Sequence, residues 1–303
     1  MKKVVVTGAT SFIGVHLIKE WLKKDCDICA VVRSASKNLE RLPLVDRVHI
    51  LKCDMEDYDM LAQSIGQADF FYHLSWEGAR APYRDDETLQ RKNYEGALKA
   101  MDAAQNMKCS FFLGAGSQAE YGAANDIIDE NYPCNPDTAY GREKLHACND
   151  LMNIAEQRGI KFIWTRIFSI YGKYDFPGTL VMSALKKMKA NEDIDMTAGT
   201  QLWDYLHVED VARAMVSFAL EKCPGGIYNV ASGDYRPLNE FVSLMKKVVD
   251  TESKLNFGAI PYGPNGPINL TPRVDKIKNI LGWYPTISFE EGIRQMLRED
   301  LTH

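Results

Sequence analysis

The chain has 303 residues, 46% apolar and 25% charged, with a formal net charge of −5 at pH 7. That balance supports a sizeable core in one large or two small domains. The charge is spread without long like-sign runs, which leaves no electrostatic footprint for nucleic acid. No apolar run approaches the roughly 18 residues of a membrane helix. The valines after Met1-Lys2-Lys3 are too few for a signal-peptide core. The expectation is a cytoplasmic protein with neither a nucleic-acid nor a membrane partner. The 7 cysteines are odd in number and scattered, as for reduced thiols. Cys26 and Cys29 form a C-x-x-C, but they lead into an apolar strand, and no second pair completes a metal site. No metal is expected.

In chain order, Lys3 to Val6 is a β-branched run typical of a buried parallel strand. Thr7-Gly8-Ala9-Thr10-Ser11-Phe12-Ile13-Gly14 follows, and then a helical pattern through Leu22. Strand, glycine turn and helix together suit a dinucleotide, because backbone N–H groups and a helix N-terminus must approach a pyrophosphate without Cβ obstruction. Gly8 and Gly14 hold the outer glycine positions and Ser11 takes the middle one. A plain βα turn is the alternative.

The second strand, Ile28 to Val32, ends at Arg33. An acidic residue there would hold a ribose 2′-OH, whereas arginine accommodates the 2′-phosphate of NADP. Arg33 therefore points to NADP, or else simply opens a surface loop. Strands are expected at Val48–Cys53, ending in Asp54-Met55, at Ala68–His73, ending in Leu74-Ser75, at Ser110–Leu113, and at Lys161–Thr165 before Arg166. His73 reads as a packed strand-end histidine. Helices are expected over Asp86–Met107, with Asn93 and Gly96 inside, and Thr138–Arg158. This βα alternation predicts a Rossmann-type, doubly wound parallel sheet in an α/β fold, with Gly8, Arg33, Asp54, Ser75, Ser117 and Arg166 converging on the carboxyl rim where ligands bind. Beyond residue 170, Gly- and Pro-rich loops separate helices expected at 179–190, 208–221, 237–249 and 289–299. The division expected is a dinucleotide domain, 1–170 plus about 203–222, and a smaller interleaved substrate domain, 171–202 and 223–303.

Tyr140 and Lys144 stand four residues apart, so a helix puts a phenol and an ammonium on one face. A lysine cation beside a phenol favours the phenolate and suits it to move protons. Chance also supplies such pairs.

Several motifs occur in order: the N-terminal Thr-Gly-Ala-Thr-x-Phe-Ile-Gly, Ser117 before Tyr121-Gly122, Tyr140-x-x-x-Lys144, Arg166-x-Phe-x-x-Tyr171-Gly172, and Asp204-Tyr-x-His207-Val-x-Asp210. Together with Leu281-Gly282-Trp283-x-Pro285 they resemble the extended short-chain dehydrogenase/reductases that act on nucleotide sugars, over essentially the whole chain. The resemblance implies that Tyr140 is the acid/base, that Lys144 binds the nicotinamide ribose and depresses the phenol, and that Ser117 polarises the same substrate oxygen. It implies cofactor contacts at Gly8, Thr10, Ser11, Phe12, Ile13, Gly14, Arg33, Asp54, Met55, Leu74, Ser75, Tyr140, Lys144 and Ile167. Substrate contacts fall at Trp76, Gln118, Trp203, Arg236 and Arg273. The two arginines are candidate diphosphate partners.

Dehydratases of this family place an Asp-Glu pair where Gln118-Ala119 stands, so elimination of water lacks its acid and base. Gln201-x-Trp203-Asp204-Tyr205 is similar to the CDP-abequose synthase-like 4-ketoreductase branch. Trp203 could stack on a base or simply pack the cap. The leading expectation is an NADP-dependent 4-ketoreductase on a nucleotide-linked 4-keto-6-deoxysugar. The alternative is a redox-neutral 4-epimerase with tightly bound NAD, and a non-catalytic dinucleotide-binding protein is a third reading. The family usually pairs the two long helices between subunits, which implies a homodimer and needs an apolar outer stripe.

Overall fold

The computed structural model describes residues 1–298 apart from Asn125 and Asn265; the expected helix end at 299 and the residues after it lie outside the described residues. The sheet strands are β1 (Lys2–Thr7), β2 (Cys26–Val32), β3 (Val48–Lys52), β4 (Phe70–His73), β5 (Phe111–Ser117), β6 (Lys161–Ile167) and β7 (Gly226–Val230). They form one sheet in the order β7-β6-β5-β4-β1-β2-β3, every neighbour parallel. The first helices are α1 (Phe12–Trp21), α2 (Leu61–Ile65), α3 (Glu87–Asn106) and α4 (Ala139–Arg158). Then come α5 (Leu180–Lys189), α6 (Val208–Leu220), α7 (Leu238–Val249), α8 (Asp275–Leu281) and α9 (Phe289–Arg298).

Strand alternation decides which helices cover which face. Val4, Val6, Phe70, Tyr72, Phe111, Leu113 and Ile163 pack on one side, with residues of α1 and α6. Val5, Phe71, Phe112, Phe162 and Trp164 pack on the other, with residues of α3 and α4. Helices on both faces bury the strands from both sides, which is why they read as unbroken apolar runs. Cys26 and Cys29 fall in opposite layers of the core, so the C-x-x-C brings no two sulfurs together, and all 7 cysteines are free thiols.

A third cluster, built on α5, α7 and α9 around Leu185, Phe241, Met245 and Ile293, forms the cap. Trp203 packs against both this cluster and the sheet core. The chain enters the cap after β6, returns to lay α6 against α1, and supplies β7 beside β6 before re-entering the cap. β7 corrects the expected boundary: residues 226–230 belong to the sheet, not to the substrate region. The Pro224-Gly225-Gly226 opening of this short edge strand reads locally as a loop.

The outward sides of α3 and α4 carry Glu87, Arg91, Lys92, Glu95, Arg142 and His146, and Met152 is the large apolar residue exposed there among the described residues. No described helix is long and apolar enough to cross a membrane.

Candidate active site

The site sits on the carboxyl rim, where each β-strand hands over to a loop. Gly8 follows β1 with φ +67, and a Cβ on it would meet the Ser75 amide nitrogen at 2.8 Å. A Cβ on Gly14 would collide with the Gly8 carbonyl. Only glycine permits this closeness of turn, helix and neighbouring loop. Ser11 caps α1, its hydroxyl accepting from the Gly14 N–H at 3.1 Å. The serine at the middle position thus serves the helix, and the N–H groups of Phe12 and Ile13 in the first turn are left to face an anion. Thr10 hydrogen-bonds Ser36 (3.0 Å), and Ser75 hydrogen-bonds Tyr58 (2.8 Å). Leu74 donates its N–H to the Thr7 carbonyl at 3.3 Å.

Arg33, Asp54, Met55, Glu77, Gly96 and Lys99 line one cavity of about 530 Å³ beside this turn. The Ser34 N–H donates to Asp54 at 3.1 Å, and this bonding to Ser34 holds the Asp54 carboxyl below its ordinary pKa. Glycine turn, helix N-terminus and cavity fit a dinucleotide. Arg33, however, is ion-paired with Glu77, so its charge is already partly balanced. Burial pushes the His73 imidazole down to about 3; its Nδ1 meets the Thr7 hydroxyl at 3.0 Å and its ring stacks on Phe112. His73 is a packed residue, as its strand-end position suggested.

Ser117 ends β5, opposite Ile167 of β6, and Tyr140 and Lys144 come from the first turns of α4, whose N-terminus Thr138 caps by accepting from Gly141. The structure brings all three together. Burial pushes the Tyr140 phenol up, against the pull of the Ser117 hydroxyl and then of Arg84. This corrects the expected depression by lysine. Lys144 donates to the Ala115 carbonyl at 2.6 Å and sits 3.6 Å from the Trp76 ring centroid, 5.8 Å from that of Tyr140. Burial also brings the Lys144 ammonium itself down to about 7, despite Glu120.

Trp76 stands edge-on to Tyr140, and its indole N–H donates to Gln90 at 2.7 Å. Gln118 keeps a buried Oε1 that no protein group bonds among the described residues, and so does the indole nitrogen of Trp203. Trp203 pairs in register with Arg236. Arg236 is bound to Asp234 and lies over Phe241, whereas Arg273 lies between Asp129 and Asp275 and donates its backbone N–H to Ile128. The two candidate diphosphate arginines therefore answer to separate carboxylates.

Three residues escaped the sequence reading. Glu120 is wholly buried below Ser117: it accepts from the Ser117 N–H (2.8 Å), the Trp164 indole (2.9 Å) and Arg166 Nε (2.7 Å). A Cβ on Gly116 would strike that indole and carboxylate. The signal was present directly after Ala119, three residues past the catalytic-type serine, where a carboxylate does stand. Gln90, wholly buried on α3, donates to the Gly78 and Tyr83 carbonyls at 2.9 and 3.0 Å. It organises the loop that carries Arg84 over the Tyr140 ring, 5.2 Å from its centroid.

Residues 4–231 match the NAD dependent epimerase/dehydratase family. The chain belongs to that family. It is an enzyme of nucleotide-sugar chemistry with the family's Rossmann-like fold. It is 26% identical to CDP-abequose synthase of Salmonella muenchen, over 98% of this chain and 97% of that protein. It is 22% identical to UDP-N-acetyl-alpha-D-glucosaminuronate decarboxylase of Bacillus cytotoxicus, over 98% and 97%. Among solved structures it superposes on UDP-N-acetylglucosamine 4-epimerase of Methanobrevibacter ruminantium, in complex with UDP-N-acetylmuramic acid, with TM-score 0.88, 22% identity and coverage of 98% and 97%. The NAD complex of UDP-glucose 4-epimerase from Thermus thermophilus superposes with TM-score 0.85, 20% identity and 97% coverage of each chain. In both cases the likeness is one of fold.

Proposed function

We propose that this enzyme reduces the 4-keto group of a nucleotide-linked 4-keto-6-deoxysugar with NADPH. The observation that carries the reading is the Ser117, Tyr140 and Lys144 constellation beside Gln118-Ala119, where an eliminating enzyme needs its carboxylates. Whole-length similarity to CDP-abequose synthase supports it, as does Arg33 at the end of β2.

The dinucleotide, when bound, supplies the hydride. Tyr140 holds the proton that the sugar oxygen takes up, and its raised phenol pKa keeps it protonated at neutral pH. Ser117 hydrogen-bonds the same oxygen and polarises the carbonyl. Lys144 and Trp76 fix the face of the site on which the sugar lies, while Gln118 and Trp203 offer unused polar atoms to the substrate. Trp203, Arg236 and Arg273 mark the cap side for the nucleotide diphosphate.

The Arg33–Glu77 pair favours a second reading, a redox-neutral 4-epimerase with tightly held NAD, because it spends the charge that would greet a 2′-phosphate. Nicotinamide absorbance with NADPH or NADH and a panel of nucleotide 4-keto-6-deoxysugars separates the two. Stoichiometric cofactor loss is expected, and Tyr140→Phe should lower it at least ~100-fold. Absence of loss with every sugar, together with NAD released on denaturation, would overturn the reductase in favour of the epimerase.

A further inference from the structure

Arg84 stands out among the cations of the site. Its guanidinium lies over the Tyr140 ring, and its Nε is buried with no hydrogen-bond partner. No carboxylate pairs with it among the described residues. Its neighbour Arg80, by contrast, is taken up by buried Asp175 at 3.1 Å and by the Phe176 ring.

The position of Arg84 is built rather than incidental. Gln90 ties down the Gly78 and Tyr83 carbonyls, and Asn93, also wholly buried, both accepts from the Glu77 N–H (2.8 Å) and donates to its carbonyl (2.9 Å). Asp85, next in the chain, accepts from the Ala139 N–H at 3.3 Å and so pins the loop to the start of α4. A guanidinium facing an aromatic ring is attracted to it, and more strongly once that ring carries phenolate charge. Lys144 is less suited to this work. It is engaged with Ala115 and Trp76, and its pKa of about 7 leaves part of the population uncharged at neutral pH. Arginine remains charged throughout.

We infer that Arg84, clamped over Tyr140 by Gln90, is the permanent cation that favours the Tyr140 phenolate. Arg84 acts through Tyr140 and is thus a positioning and tuning residue. The inference rests on the proposed role of Tyr140. The charged and titratable groups around that phenol are Arg84 and Arg80 from the loop, Glu120 below Ser117, Lys144 on α4, and loop residue Asp85, which accepts from the first N–H of α4.

Ultraviolet tyrosinate absorbance against pH, wild type minus Tyr140→Phe, isolates this phenol among the chain's 14 tyrosines. The same difference taken in an Arg84→Gln background is expected about one pH unit higher, a roughly tenfold change in proton affinity. Arg84→Lys should return part of the shift. Arg84→Met, which keeps the apolar stem, is read in the same way should Arg84→Gln lose the fold. An unmoved titration in either folded variant would overturn the inference. Turnover measured on Tyr140→Phe is separate: activity retained there would sink the proposed function and leave the titration result standing.

Discussion

Glu120→Ala removes the one acceptor shared by three buried donors. In the native fold the Glu120 carboxylate neutralises Arg166, which is 3% exposed, and also holds the Trp164 indole and the Ser117 amide. Burial alone disfavours the Arg166 cation, yet Glu120 and Tyr121 together more than offset it and leave its pKa raised. Without Glu120 the guanidinium loses its carboxylate partner among the described residues and keeps the Tyr121 ring face, 4.5 Å away. Deleting one partner of a buried ion pair costs about 3–5 kcal/mol, and two orphaned neutral donors push the value to the upper end. At about 2 °C or more per kcal/mol for a chain of this size, the melting temperature should fall by roughly 8 °C or more. Far-ultraviolet circular dichroism on heating measures it. Replacing both charges, Glu120→Ala with Arg166→Met, should recover at least part of the loss, since no buried charge is then left unpaired. A single variant melting within about 2 °C of wild type, or a double variant no better than the single, would refute the account of this cluster.

Two further outcomes follow from groups at the rim. His73 is held neutral, its pKa pushed from the ordinary 6.5 down to about 3 by burial. Its stabilising share is present above about pH 6.5 and is lost as pH falls, because only the unfolded chain takes up the proton. Between about pH 7 and pH 5, His73→Asn should therefore lose about 2 kcal/mol less than wild type in urea denaturation; parallel curves for the two proteins would contradict the assignment. Glu77→Gln releases Arg33 from its partner, so the affinity ratio of NADPH over NADH should rise by roughly two- to fivefold, the size of an exposed charge contact. Cofactor fluorescence titration reads this ratio, and a ratio that stays put or falls would place Arg33 outside the 2′-phosphate's reach.

Much of the architecture was legible in local residue order. β1 through β6, the long helices and the glycine turn all announce themselves through unbroken β-branched and aromatic runs, a 3.6-residue period and a single permissive φ at Gly8. These are short-range properties, set by backbone sterics and by burial of a strand on both faces. Spacing likewise placed Tyr140 and Lys144 on one helical face, and strand ends placed Ser117 and Arg33 on one rim. What sequence order leaves open is how charges are shared among residues far apart in the chain. Glu77 meeting Arg33, Glu120 meeting Arg166, and Arg84 joining Lys144 over the Tyr140 ring are long-range pairings that no local pattern encodes. The direction of the Tyr140 shift was misjudged for the same reason: desolvation depends on everything packed around the phenol, and only the folded chain supplies it. β7 was missed because an edge strand opened by two glycines has too little local signal, and its place is decided by the exposed flank of β6.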